Sequence, residues 1–168
     1  MSPKERASMT DRSKLDAFLP VADQKRVVEA IHAAEQRTSG EIKVHIDAKL
    51  PAGKTPYERA TEVFAASGLA ATREKNAVLV YIASEDRRYA MIGDVGIHAE
   101  VGDTFWATAS EALGQHFSRS AYGDGLVAAV QAVGERLAAR FPRTATGDKE
   151  NQLSDEISTD DTLGAPRS

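Results

Sequence analysis

Three stretches decide the fold: TSGEIKVHI (residues 38–46), KNAVLVYIA (residues 75–83) and RRYAMIGDVGIHAEVGD (residues 87–103). In the first, Ile42, Val44 and Ile46 alternate with Glu41, Lys43, His45 and Asp47, the period of a strand with one apolar face. In the second, AVLVYIA is apolar without a break, as a strand covered on both faces should be. The third opens as a strand, Arg88 to Ile92, that returns across the tight turn SEDR and then enters a glycine-punctuated loop or single helical turn.

Helical patterns surround these strands. Val27, Ile31 and Ala34 give one buried stripe to a helix that starts after Pro20, and Ser39-Gly40 stops it. Residues 56–67 form a second helix with Pro56 in its first turn and Ala60, Val63 and Phe64 facing inward. A third starts near Asp103, with Trp106, Ala109, Leu113 and Phe117 on one side. A fourth follows Tyr122-Gly-Asp-Gly125 and carries Leu126, Val130, Val133, Leu137 and Phe141. The order α-β-α-β-β-α-α contains a βαβ unit, which is parallel and right-handed, extended by a hairpin strand. The expected fold class is α/β: a three-layer α/β/α sandwich around a small mixed sheet.

Residues 1–16 are charged and poor in apolar side chains, and read as a flexible arm. The α/β domain spans residues 17–142, and 143–168 reads as an acidic tail too polar to order alone. From Thr144 onward there are six acids and two bases, a net charge of −4 that equals that of the whole chain of 168 residues. The body is therefore neutral and lacks the basic face that nucleic-acid binding requires. The first residues, MSPKERASMTDRSKLDAF, lack the apolar run of a signal h-region, and no run has the length of a membrane span, so no membrane insertion is expected and the expected location is cytoplasmic. There is no cysteine, which excludes disulfides, thiolate metal sites and cysteine nucleophiles.

Several enzyme signatures are absent as well. The chain has no phosphate-binding G-x-x-x-x-G-K-[ST], no dinucleotide G-x-G-x-x-G and no G-x-S-x-G. His32, His45, His98 and His116 show no H-E-x-x-H spacing. What remains is a convergence of acids. Parallel strands one and two start at the same sheet end, and the antiparallel third strand finishes there. Glu41, Asp94, Glu100 and Asp103 can therefore meet, and oxygen ligands from such loops suit a hard cation, Ca2+ or Mg2+. Asp103 also serves as a helix N-cap. Asp47 lies at the opposite end. Trp106 reads as a core anchor.

The same segments carry a likeness. TSGEIKVHI after an amphipathic helix, KNAVLVYIA, RRYAMIGDVGIH with VGDTFW, and a last helix ending Phe141-Pro142 resemble the TPM-domain family over about residues 17–142. The resemblance implies an α/β/α sandwich, calcium or other divalent-ion binding, and an acid phosphatase activity. The family's G-Y-G-x-E pattern after the third strand is replaced here by GDVGIHAE, with Gly93, Gly96 and Glu100 as the nearest matches. Two readings follow: a divalent-cation-binding domain with weak phosphatase activity, or a non-catalytic module that engages a protein partner.

Overall fold

The computed structural model describes residues 3–143, 155–160 and 163, with side chains from residue 11 onward. Five α-helices and three strands follow in the order α1 (Pro3–Phe18), α2 (Val21–Glu35), β1 (Glu41–Asp47), α3 (Pro56–Ala66), a 3-10 turn (Leu69–Ala71), β2 (Ala77–Ala83), β3 (Arg88–Gly93), α4 (Val95–Ser118) and α5 (Tyr122–Arg140). The sheet order is β1-β2-β3. β1 and β2 run parallel with Glu41 opposite Ala77, and β2 and β3 run antiparallel with Val78 opposite Gly93. The α/β class and the mixed topology are as the periodicity predicts.

The sheet divides two cores. Ile42, Val44, Ile46, Val78, Val80, Ile82 and Met91 pack with the apolar stripes of α2, α4 and α5 and with Leu15 and Leu19. On the other face Ala77, Leu79, Tyr81 and Ala83 meet Ala60 and Val63 of α3 and Leu69. Every residue of β2 is buried, which explains its unbroken apolar run. α2 delivers the chain to β1 through Glu35, which is itself buried and accepts the Ile42 N–H at 2.9 Å.

α3 begins with a reciprocal cap. The Thr55 hydroxyl accepts the Glu58 N–H, the Glu58 carboxylate accepts the Thr55 N–H, and Pro56 sits in the first turn. Thr55→Ala should therefore lower stability by about 1 kcal/mol. A denaturant midpoint unchanged from wild type would show that α3 is held by packing alone.

Three segments differ from the sequence reading. Residues 3–16, read as a flexible arm, belong to α1. Its register puts Leu15, Phe18 and the following Leu19 against the main core, a stripe that the charged residues around it obscure. The loop after β3 is helical: Asp94 caps α4 by accepting the Val95 N–H at 2.7 Å, and the helix breaks at Gly102, whose φ of 72° suits glycine. The helix expected near Asp103 is thus the second arm of a kinked one. Third, part of the acidic tail is docked. Ser158 lies beside His45 in parallel pairing, with Ser158 and Thr159 buried and Ile157 packed on the main core. The rest of the tail, 144–154, 161–162 and 164–168, lies outside the described residues. Trp106 is half-buried at the rim of the main core, and its indole N–H donates to His98 Nδ1 at 3.0 Å. Among the described residues no helix is long and apolar enough to cross a membrane.

Candidate functional site

The topology brings Glu41 and Asp94 to the same sheet end. Glu41 is the pairing partner of Ala77 on one side, and the Asp94 N–H donates to the Ala77 carbonyl at 2.9 Å on the other. β2 stands between them, so their backbones are two strand spacings apart, about 10 Å. Glu41 is 2 % exposed at the start of β1. Glu100 and Asp103 lie farther along α4 and have other neighbours. Glu100 pairs with Arg140 at 3.9 Å, and the exposed Asp103 lies 3.5 Å from His98 Nε2. Among the described residues, no three His, Asp or Glu side chains are grouped as a metal-ligand set.

Two oxygens at this end nevertheless stand out. Asp94 uses Oδ1 on its helix cap, and its Oδ2 is buried with no hydrogen-bond partner. Asn76, 1 % exposed, donates from Nδ2 to Ser39 Oγ at 3.1 Å, while its Oδ1 is likewise buried and unpartnered. The turn before β2 and the start of α4 are pressed together here. The Ile97 N–H donates to the Lys75 carbonyl, and a Cβ on Gly96 would stand 2.2 Å from Glu74 O. Asn76 and Asp94 thus flank Ala77, each with one buried oxygen that accepts no hydrogen bond.

The opposite end of β1 holds a second, fully bonded polar group. Because β1 alternates, His45 and Asp47 share the side of the sheet on which α3 packs, and His45 is paired with Tyr81 across the β1–β2 ladder. Asp47 accepts three hydrogen bonds: His45 Nε2 on Oδ1 at 2.8 Å, and Arg59 Nε and Tyr81 OH on Oδ2 at 2.9 and 2.7 Å. Burial pushes its carboxyl upward, but the bonds from His45, Arg59 and Tyr81 outweigh burial and hold it well below the usual carboxylate range. For Tyr81, burial and the contact with Asp47 both push the phenol above its ordinary value. Burial alone would lower Arg59, and Asp47 more than offsets it, so the guanidinium keeps its proton.

An ionised Asp47 can only accept, so His45 donates from Nε2 and turns Nδ1 toward Ser158 Oγ, 2.8 Å away. Hydroxyl, imidazole and carboxylate in that order form an activated nucleophile in hydrolases. Here, however, Ser158 is 6 % exposed, and both its backbone groups are tied to β1: its N–H donates to Val44 O at 3.0 Å and its carbonyl accepts from Ile46 N at 2.9 Å. Ser158 therefore sits buried against the β1 edge. Arg59 extends the group outward, donating from its guanidinium to Asp160 at 2.8 Å. The cluster thus holds residues 158 and 160 of the same chain against the end of β1.

The sequence reading missed this cluster. One signal was present: β1 lies next to a strand buried on both faces, so its polar side adjoins a covered side of the sheet, and His45 and Asp47 there need partners.

Comparisons with known proteins agree with this fold. The chain is similar to the BA42 protein of the psychrophilic bacterium Bizionia argentinensis, with 36% identity, a TM-score of 0.76, and coverage of 84% of this chain and 95% of that one. The N-terminal domain of the cg2496 protein of Corynebacterium glutamicum shares the fold at 17% identity and a TM-score of 0.51, with 79% of this chain and 78% of that one covered. No curated protein matches. The family model described as "TPM domain" matches residues 13–136, a stretch that includes both sheet ends but not Ser158 or Asp160. On that match and the likeness to BA42, the chain belongs to the TPM domain family.

Proposed function

We propose that this TPM domain binds a divalent cation, Ca2+ or Mg2+, at the sheet end between the turn before β2 and the start of α4. The observation that supports it is the pair of buried acceptors without donors, Asp94 Oδ2 and Asn76 Oδ1. A buried polar atom left unpaired costs roughly 1–3 kcal/mol, and a hard cation among oxygens would remove that cost. Asp94 is the anchoring carboxylate in this reading, Asn76 a neutral ligand, and Glu41 the second charge beyond Ala77. Glu100 and Asp103 would join only by leaving Arg140 and the vicinity of His98. When bound, such an ion polarises a phosphoryl oxygen or activates water. Weak phosphomonoester hydrolysis is the activity that the family resemblance implies, and Asp94 would then serve it by holding the ion.

Calcium and magnesium titrations followed by melting temperature test the proposal. At a free ion concentration one hundred times the dissociation constant, wild type should gain about 2.7 kcal/mol. Asp94→Asn should gain little, and Glu41→Gln less than wild type. A wild-type melting temperature that does not move at millimolar calcium or magnesium sinks the cation reading. A shift without hydrolysis in purified protein favours the second reading, a non-catalytic interaction module. That reading has its own support in the extended segment seated on β1.

A further inference from the structure

We propose that the outer edge of β1 is a docking site for an extended segment of another protein bearing an apolar residue, a hydroxyl next to it and a carboxylate two residues later, and that residues 157–160 are its intramolecular competitor. The seat and its present occupant are both visible. Residues 157–160 lie parallel to β1, and their side chains alternate: Ile157 packs on the main core, Ser158 meets His45, and Asp160 meets Arg59. Backbone bonds to Val44 and Ile46 supply binding that is blind to sequence, and the alternate side chains supply the selectivity, as in other strand-addition sites.

The receptor side is built independently of this segment. His45 is oriented by Asp47, and Asp47 is held by Tyr81 and Arg59, all four within residues 13–136 matched by the family model. The segment lies outside that match. Its hold combines the buried Ser158–His45 bond and the packing of Ile157 with weaker contacts at the rim. Two ladder bonds join it to a seven-residue strand, and its ion pair uses an Asp160 side chain that is 70 % exposed. Exposed ion pairs are weak and screened by salt. A segment that makes more contacts than these can displace it.

The tether decides between a foreign occupant and a second copy. A segment on the same chain acts at an effective concentration in the millimolar range. A second copy at micromolar concentration offers the identical segment and loses that competition. A partner with more extensive pairing does not.

The probe is a fluorescein-labelled peptide of residues 155–163, DEISTDDTL, titrated against the full-length chain and its Ser158→Pro variant. Proline removes the N–H that bonds Val44 and so frees the edge. The peptide should bind the variant at least tenfold more tightly than wild type. Replacing its Ser158 and Asp160 positions by Ala should weaken binding at least tenfold. No binding to the variant, or equal binding by the doubly substituted peptide, overturns the proposal. So does a wild-type dimer that grows with concentration and collapses on adding peptide, because the seat then belongs to a second copy. Amide exchange in wild type gives a reading that does not depend on the variant's folding. Ile46 and Ser158 N–H should exchange at least tenfold faster than Val80 N–H at the centre of the sheet. Equal protection means that the segment leaves only on global unfolding, which also overturns a displaceable strap.

Discussion

Asp47→Ala should destabilise the protein by about 3–5 kcal/mol, the usual cost of removing one partner from a buried ion pair. Asp47 is 5 % exposed and satisfies three donors at once. Without it, the Arg59 guanidinium keeps only the exposed carboxylates of Asp160 and Glu62 and loses its buried partner, and the Tyr81 hydroxyl and His45 Nε2 lose their acceptor. For a chain of this size the loss corresponds to a fall in melting temperature of roughly 6–20 °C. The same residue sets an acid limb. Its folded carboxyl titrates below the ordinary value of about 3.9, so the unfolded chain takes up the proton first as pH falls. The stability it contributes is complete above about pH 4–5 and is lost as pH drops toward the folded value. Asp47→Asn should flatten that limb. Thermal melts of wild type and both variants between pH 2 and pH 7 would decide it. A loss under 1 kcal/mol for Asp47→Ala, or parallel acid limbs for wild type and Asp47→Asn, would mean that the cluster is held by backbone and packing alone.

Gly96→Ala should be the second damaging change, at about 2–3 kcal/mol, near the upper end of ordinary overpacking. Its added Cβ would lie 2.2 Å from Glu74 O and 2.5 Å from Lys75 O, both backbone atoms. Neither can retreat cheaply, because Lys75 O accepts the Ile97 N–H and thereby ties the turn to α4. The methyl group would pry the turn from the helix and separate Asn76 from Asp94. Two readouts should therefore move together: a lower denaturant midpoint and a smaller calcium-induced shift. A variant that loses stability but keeps the full shift would detach the cation proposal from this corner.

The legible part of the fold was the part governed by local period. Alternation in β1, the unbroken β2, and the stripes of α2 and α5 each follow from neighbours a few residues apart. The parallel-then-antiparallel order then follows from connection lengths, and it brings Glu41 and Asp94 to one end. It does not bring them together, because the start of β2 separates them. Nor did residue type reveal that Asn76 Oδ1 would be stranded, since that depends on how tightly Gly96 lets α4 close on the turn. The His45 cluster was hidden for a plainer reason. Ser158 is 113 residues from His45, in a segment whose composition argues against order. It orders because it borrows a ready-made edge and buried partners, which no composition rule registers.

The position of that strap in the chain also bears on how the protein is made. Ser158 emerges from synthesis after every strand and helix of the body, so the edge it covers stands bare while the rest folds. At about 5–20 residues per second, the interval between completing β1 and completing the strap is on the order of ten seconds. A bare strand edge is a template for pairing with another nascent chain. Crowded translation on one message is therefore the setting in which this chain is most exposed to aggregation, and in which a binding protein with a matching strand would meet the least competition.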